Sequence, residues 1–168
     1  PAGGGRYTQP NSRIKGTVVA LAMPWPADII DGLVGDLRRF WTPPGVRTTV
    51  NGNGLAAPEC AEFQASLDTH LQNAPGEPMR ITTRRCAVQI SPVAGGAQET
   101  IFEMGIPVQQ IDCPYLINIG QKVPLAMNRD QVPAYYLRNV YAELLKRVVG
   151  TLNEDSAFRF IAEKGSFA

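Results

Sequence analysis

The stretch INIGQKVPLAMNRDQVPAYYLRNVYAELLKRV (residues 117–148) joins an apolar, strand-like run to the most regular helical pattern of the chain. Asp130 can cap this helix, and Pro133 falls in its first turn, where the missing N–H costs little. Glu143 and Arg147 stand at the spacing of a helical ion pair. The stretch therefore predicts a strand, a short connection and an amphipathic helix, whose apolar stripe consists of Leu137, Val140, Tyr141, Leu144, Leu145 and Val148.

Upstream of this stretch, the pattern predicts one more helix and several strands. RIKGTVVALAM (residues 13–23) predicts a strand from about Lys15 to Met23 that is covered on both faces. PWPADIIDGLVGDLRRFW (residues 24–41) has apolar residues at helical spacing, and this stripe should face a sheet. Its members are Ile30, Leu33, Val34, Leu37 and Trp41.

The middle of the chain is rich in strand signals. Asn51-Gly52 predicts a tight hairpin turn, because both residues readily take positive φ. AEFQASLDT (residues 61–69) alternates apolar and polar residues, as a half-buried strand does. MRITTRRCAVQISPV (79–93) and ETIFEMGIPVQQI (99–111) predict the two strands of a second hairpin, joined by a turn at residues 94–98.

These elements predict an α+β fold, with a mostly antiparallel or mixed sheet and two main helices packed on one face. Residues 1–13 are rich in Gly, Pro and polar side chains and should form a flexible tail or linker. We expect a single α+β domain over residues 14–152 and a C-terminal extension over residues 153–168.

Composition excludes some classes of partner. The chain has 168 residues, 44% of them hydrophobic and 18% charged, with a formal net charge of +1, so its bulk charge does not favour nucleic acid or an anionic membrane as the main partner. No apolar run approaches the roughly twenty residues of a membrane-spanning helix, and no signal-peptide pattern opens the sequence. Cys60, Cys86 and Cys113 are odd in number and widely spaced, which favours reduced thiols in a cytoplasmic protein.

The usual signatures of catalysis are weak in this sequence. His70, the only histidine, lies near no nucleophile motif, which favours a solvated side chain over a catalytic base. Arg80, Arg84 and Arg85 cluster in RITTRRC, where a solvated strand edge is favoured over an anion site. The carboxylates show no spacing typical of an acid/base pair, and no phosphate-binding glycine motif occurs. The sequence therefore predicts no catalytic residue and no metal site.

Gln121 and Lys122 stand side by side in the short connection between the strand and the capped helix. Taken alone, Lys122 is an ordinary soluble loop residue. A short loop fixed between a strand and a helix is also a good place to hold an ammonium group rigidly. Such a lysine can present its charge to a phosphate, including one that is bound on a neighbouring domain.

The stretch IFEMGIPVQQIDCPYLINIGQKVPLAMNRDQVPAYYLR (residues 101–138), preceded by TVNGNGL and TTRRCAVQI, resembles the transducer region of GHKL-superfamily ATPases. This superfamily includes gyrase, MutL and the large heat-shock chaperones. The likeness is greatest to bacterial and phage members that carry a QKVPL…RD…YLR signature. It covers most of the chain, is strongest over residues 101–137 and is weak before Arg13.

The resemblance implies a function in two parts. In the superfamily, an ATP-binding domain precedes a βαβ-rich transducer, whose loop lysine reaches the γ-phosphate. Lys122 matches that lysine, and Gln121 matches the glutamine often found beside it. ATP and Mg would then be bound through an N-terminal nucleotide domain of the same parent protein. That nucleotide domain carries an Asn-bearing helix, a D-x-G motif and a Gly-rich lid. We do not find these features in that arrangement in this sequence, so the chain alone should not be catalytically complete.

Other interpretations stay open at the level of sequence. The chain can instead be a stand-alone interaction or assembly module that never meets nucleotide, and a small independent enzyme is a third alternative. A parent protein with an Asn-bearing helix and a D-x-G motif ahead of Pro1 would favour the transducer. Gyrase and MutL relatives dimerise on binding nucleotide, which implies a dimer here, whereas a role for nucleic acid stays undecided.

Overall fold

The computed structural model describes residues 24–37, 39–72, 74–93, 97–125, 131–148 and 150. Two helices and two β-sheets in this part of the chain confirm the predicted α+β class. The predicted strand over 15–23, the Asp130 cap, the tail over 1–13 and the extension over 153–168 lie outside the described residues. The elements are α1 (Ala27–Leu37), β1 (Thr48–Val50), β2 (Asn53–Leu55), β3 (Ala61–Leu71), β4 (Arg80–Pro92), β5 (Thr100–Glu103), β6 (Ile106–Gln110), β7 (Tyr115–Ile119) and α2 (Ala134–Val148).

The larger sheet has the strand order β3-β4-β7-β5-β6. All of its pairs are antiparallel except β5 with β7, which run parallel, so the sheet is mixed as predicted. β4 pairs with β3 from Arg80 to Ile90, but it pairs with β7 only from Val88 to Pro92. The distal half of the β3–β4 hairpin therefore extends beyond the rest of the sheet. β1 and β2 form a separate two-stranded hairpin around Asn51-Gly52, as predicted.

The prediction of a hairpin between residues 79–93 and 99–111 is wrong. β5 pairs with β6 and β7 and not with β4. The chain reverses inside the second segment, because Met104 and Gly105 take φ of 49° and 88° and close a tight β5–β6 turn. A side chain could not replace the hydrogen of Gly105, since its Cβ would lie 2.8 Å from the carbonyl oxygen of Trp41.

The core lies between α2 and one face of the larger sheet, which we call the helix face. The buried face of α2 consists of Tyr136, Val140, Tyr141, Leu144 and Val148. Every one of these except Tyr136 belongs to the predicted stripe, whereas Leu137 is only partly buried against the core. Each fully buried side chain of this size stabilises the fold by about 1.5–3 kcal/mol relative to exposure. The sheet contributes Ala65, Leu67, Cys86, Val88, Ile90, Ile101, Ile117 and Ile119 to this cluster.

The polar side of α2 is arranged differently from the predicted ion pair. Glu143 accepts a hydrogen bond from Lys146, one turn away, with Oε1 and Nζ 2.6 Å apart. Arg147 instead lies over the ring of Phe63, with its guanidinium carbon 5.6 Å from the ring centroid. The aromatic ring on β3 offers the guanidinium a cation–π contact that the sequence spacing does not reveal.

The apolar stripe of α1 does not face the sheet, contrary to the prediction from its spacing. α1 has no buried residue, and Ile30, Leu33 and Leu37 are 46%, 37% and 41% exposed. Only Trp41, which follows the helix, is buried, and its ring meets that of Phe102 edge-on at 5.5 Å between centroids. Periodicity thus indicated an apolar face on α1, but none of the described residues covers that face.

Neither of the two described helices is long and apolar enough to cross a membrane.

Candidate functional site

The connection after β7, which we call the GQKVP loop (residues 120–124), is tied to the sheet at both ends. The N–H of Gly120 donates to the carbonyl oxygen of Ala87 at 2.8 Å. The N–H of Val123 donates to the Glu103 carboxylate at 2.6 Å. Gly120 permits this close approach, because a Cβ there would lie 2.9 Å from the Ala87 carbonyl oxygen. The backbone on either side of Gln121 and Lys122 is thus fixed by β4 and β5.

The Gln121 side chain points into the protein. It is 9% exposed, and its Nε2 donates to the carbonyl oxygens of Leu67 and Asp68 at 2.9 and 3.4 Å. β3 is the edge strand of the larger sheet, so the Gln121 amide attaches the loop to the sheet edge. A contact between this amide and a γ-phosphate would require both hydrogen bonds to break, and that contact stays a prediction. In the described conformation Gln121 positions the loop against β3.

The Lys122 side chain is exposed while its backbone is held in place. The hydroxyl of Thr69 donates to the Lys122 carbonyl oxygen at 2.7 Å, so β3 holds Lys122 as well as Gln121. The ammonium nitrogen lies 3.5 Å from the sulfur of Met79. A thioether is a weak hydrogen-bond acceptor, so this contact holds the ammonium only loosely. The Lys122 ammonium is thus exposed and weakly held, whereas its backbone is fixed by hydrogen bonds.

Beneath the loop, the side chains of Gln121, Tyr136 and Cys86 lie near one another on the helix face. Burial raises the pKa of the Tyr136 phenol, the nearby Cys86 raises it further, and the neighbouring Gln121 amide partly offsets the shift. The buried Tyr136 hydroxyl makes no well-formed hydrogen bond with the described residues. Burial also raises the pKa of the Cys86 thiol, and the positive charge of Arg84 partly offsets that shift. The neutral forms of both groups are therefore favoured under the loop, and Arg84 is close enough to act on this cluster.

The other side chains considered from sequence are separate from this loop or have structural partners. His70 is half-buried near the end of β3, opposite Ile81. Glu62 accepts from Gln89 and Asp68 accepts from Thr83 on the sheet face away from α2. Within the described ranges, no group of three metal-ligating side chains occurs. Cys86 and Cys113 are buried, and Cys60 is half-buried.

Two cavities on the opposite side of the sheet have no counterpart in the sequence interpretation. They measure about 850 and 470 Å³, and Phe40 and Trp41 line both. Behind the smaller one, Asn118 donates to Gln89 at 2.9 Å and accepts from the N–H of Gly105 at 2.8 Å. These contacts join residues that lie 13 to 29 positions apart, so no local pattern could have indicated them.

The geometry thus brings together Gln121 and Lys122 with Leu67, Thr69 and Met79, and leaves His70 outside this set. Comparisons of the chain with models of protein families, with curated proteins and with solved structures find no match.

Proposed function

We propose that this chain is the transducer domain of a GHKL-type ATPase, in which Lys122 contacts the γ-phosphate of ATP bound, with Mg, by an N-terminal domain of the same protein. The domain carries out no catalysis alone. It converts the presence of the γ-phosphate into a movement of one domain against the other. A cytoplasmic location belongs to the same proposal.

The observation that carries the proposal is the contrast within the GQKVP loop between a fixed backbone and a free ammonium. The hydrogen bonds of Gly120, Gln121, Lys122 and Val123 hold the loop on β3, β4 and β5. A cation on a fixed backbone stabilises developing charge on a phosphoryl group, and only its side chain has to turn when the ligand arrives. Met79 competes only weakly for the ammonium, so transfer to a phosphate oxygen costs little.

The same contacts provide a route from the phosphate to the rest of the domain. A displacement of Lys122 toward the phosphate would move β3 through the hydrogen bonds of Thr69 and of the Gln121 amide. Gln121 also contacts Tyr136 in the first turn of α2. In this proposal Gln121 is a positioning residue, and nucleotide state is relayed to β3 and α2 together.

The test is the substitution Lys122→Ala in the full-length ATPase that contains this domain, with turnover of ATP as the readout. We expect a loss on the order of a hundred-fold, the scale on which one preorganised donor contributes to phosphoryl or acyl transfer. Lys146→Ala is the matched control, because Lys146 is an equally long, exposed cation whose partner is Glu143. Turnover that stays normal in the Lys122 variant would show that the proposed role is wrong.

A second candidate function, a stand-alone assembly module, is favoured by the exposed apolar stripe of α1. Ile29, Ile30, Leu33 and Leu37 are each more than a third exposed. Under this alternative the stripe joins two copies of the chain. Sedimentation velocity should then show a dimer that Leu33→Asp abolishes and Lys122→Ala leaves intact. A chain that stays monomeric at all concentrations would count against assembly through α1.

A further inference from the structure

We propose that Arg84 is a second cation of the anion site at Lys122, so that the bound phosphate group lies between an ammonium and a guanidinium. The inference rests on the proposed function and adds to it the residue that completes the site. From sequence alone, the interpretation of Arg84 as a solvated strand residue is favoured over this role.

The register of the β3–β4 hairpin places Arg84 beside the loop. Gln121 and Lys122 are bonded to Leu67 and Thr69 of β3, and the partners of those two residues on β4 are Arg84 and Thr82. Paired residues of an antiparallel ladder project on the same face, with Cβ atoms about 4.5–5.5 Å apart. Arg84 and the Lys122 loop therefore share the helix face. The Lys122 ammonium lies 3.5 Å from the sulfur of Met79, so it must leave this weak contact when both cations bind one ligand.

The electrostatics of the cluster agree with this placement. The charge of Arg84 acts on the Cys86 thiol, and Cys86 lies near the Tyr136 phenol, beside which Gln121 is placed. The carboxylates of Asp68 and Glu103 also act on the Tyr136 phenol. These charge effects place Arg84, Cys86, Tyr136 and Gln121 in one region of the helix face. Arg84 is accordingly close to the same small region that Gln121 occupies from the other side.

Neither of the two cations forms an ion pair in the described part of the chain. The ion pairs found among the described residues are Asp36 with Arg39 and Glu143 with Lys146, and neither involves Arg84 or Lys122. The carboxylate of Asp68 projects from the opposite face of the sheet, where it accepts a hydrogen bond from Thr83. On the helix face, the Glu103 carboxylate lies beside the loop, where it accepts from the N–H of Val123 at 2.6 Å. Two positive charges that share a face repel each other, and a bound anion relieves that repulsion.

The two side chains complement each other chemically. A guanidinium offers two parallel N–H groups in a fixed plane, which match two oxygens of one phosphate. An ammonium is a compact point charge with freely rotating donors, which can take a third oxygen. The pair suits a terminal phosphate with three free oxygens better than it suits a phosphodiester, in which two oxygens are esterified.

Arg85 provides a matched control within the same strand. It follows Arg84 directly and is likewise exposed, but it pairs with Ser66, so it projects from the face opposite to the loop. Arg84→Gln and Arg85→Gln make the same change in charge, size and strand position. They differ only in the face of the sheet that loses the cation.

The experiment measures binding of inorganic tripolyphosphate to the purified 168-residue chain by calorimetry at low salt. The wild-type chain is compared with its Arg84→Gln, Arg85→Gln and Lys122→Gln variants. We expect Lys122→Gln and Arg84→Gln each to weaken binding about three- to ten-fold, the scale of one exposed charge-assisted contact. Arg85→Gln should change it less than about two-fold, because only screened, longer-range attraction is lost. All three side chains are exposed, so circular dichroism should match the wild type.

Other outcomes overturn the inference in distinguishable ways. Equal losses in Arg84→Gln and Arg85→Gln would mean diffuse attraction to a basic surface. A loss in Lys122→Gln alone would remove Arg84 from the site and leave the proposed role of Lys122 standing. No loss in either variant, or no binding by the wild-type chain, would overturn the inference, and ATP turnover of the Lys122→Ala enzyme would then decide separately on the proposed function.

Discussion

At the scale of residues, Gln121 and Lys122 are neighbours with opposite environments. The amide of Gln121 is buried and donates into β3, whereas the ammonium of Lys122 is exposed and touches only a thioether in the described part of the chain. A buried amide that donates to two backbone carbonyl groups contributes to stability, because its loss removes a hydrogen-bond donor from both of them. An exposed lysine of this kind contributes almost nothing to stability. The two side chains should therefore be separable by experiment.

We predict that Gln121→Leu lowers the free energy of unfolding by about 1–3 kcal/mol, since the Leu67 and Asp68 carbonyl groups lose their donor. Lys122→Gln should change the same quantity by no more than about 0.5 kcal/mol. Urea denaturation followed by circular dichroism measures both. Comparable losses in the two variants would mean that the ammonium is part of the fold and is not held in reserve for a ligand.

The position of this pair could be anticipated from sequence, but the burial of Gln121 could not. Gly120 ends an apolar run and the helical stripe begins soon after, so a short connection between them is a local inference. The Gln121 amide, by contrast, bonds to carbonyl groups 53 and 54 positions away. Contacts over that separation depend on which strand forms the sheet edge, and periodicity carries no information about strand order.

At the scale of elements, the two tight hairpins have nearly the same turn and very different residues. Asn51-Gly52 has φ of 50° and 79°, and Met104-Gly105 has φ of 49° and 88°. Asparagine tolerates positive φ because of its short polar side chain, whereas an unbranched apolar residue does not gain from it. The first turn was therefore predictable from sequence, and the second was missed because methionine is not a turn signal.

We predict that Met104→Asn stabilises the protein by about 0.5–1 kcal/mol, because it relieves the strain of positive φ at an exposed residue. The reverse exchange, Asn51→Met in the β1–β2 turn, should destabilise its hairpin to a similar extent. Thermal unfolding of both variants is the measurement. A loss of stability in Met104→Asn would indicate that the methionine side chain makes contacts worth more than the strain of its backbone.

At the scale of the whole molecule, packing is concentrated on one side. α2 and the helix face of the larger sheet enclose the core, while α1 buries no side chain and its apolar stripe stays exposed. The periodicity of α2 predicted its burial correctly, and the equally regular periodicity of α1 did not. An apolar stripe shows that a helix has a surface to bury, but it does not show that a partner surface exists, and none of the described residues buries the stripe of α1.

This asymmetry predicts how stability is distributed. α1 has 11 residues, contains Gly32 and Gly35, and lacks buried side chains, so it has the length and composition of a helix that is marginal in isolation. We expect the amide hydrogens of α1 to exchange with solvent at least about 100-fold faster than those of β4 and β7, because α1 can open without disturbing the core. α2 is the internal control, since it is also a helix but buries five side chains and should be protected like the sheet. If α1 is as slow to exchange as α2, contacts that bury its apolar stripe must form in solution, and the assembly module becomes the better account of the chain.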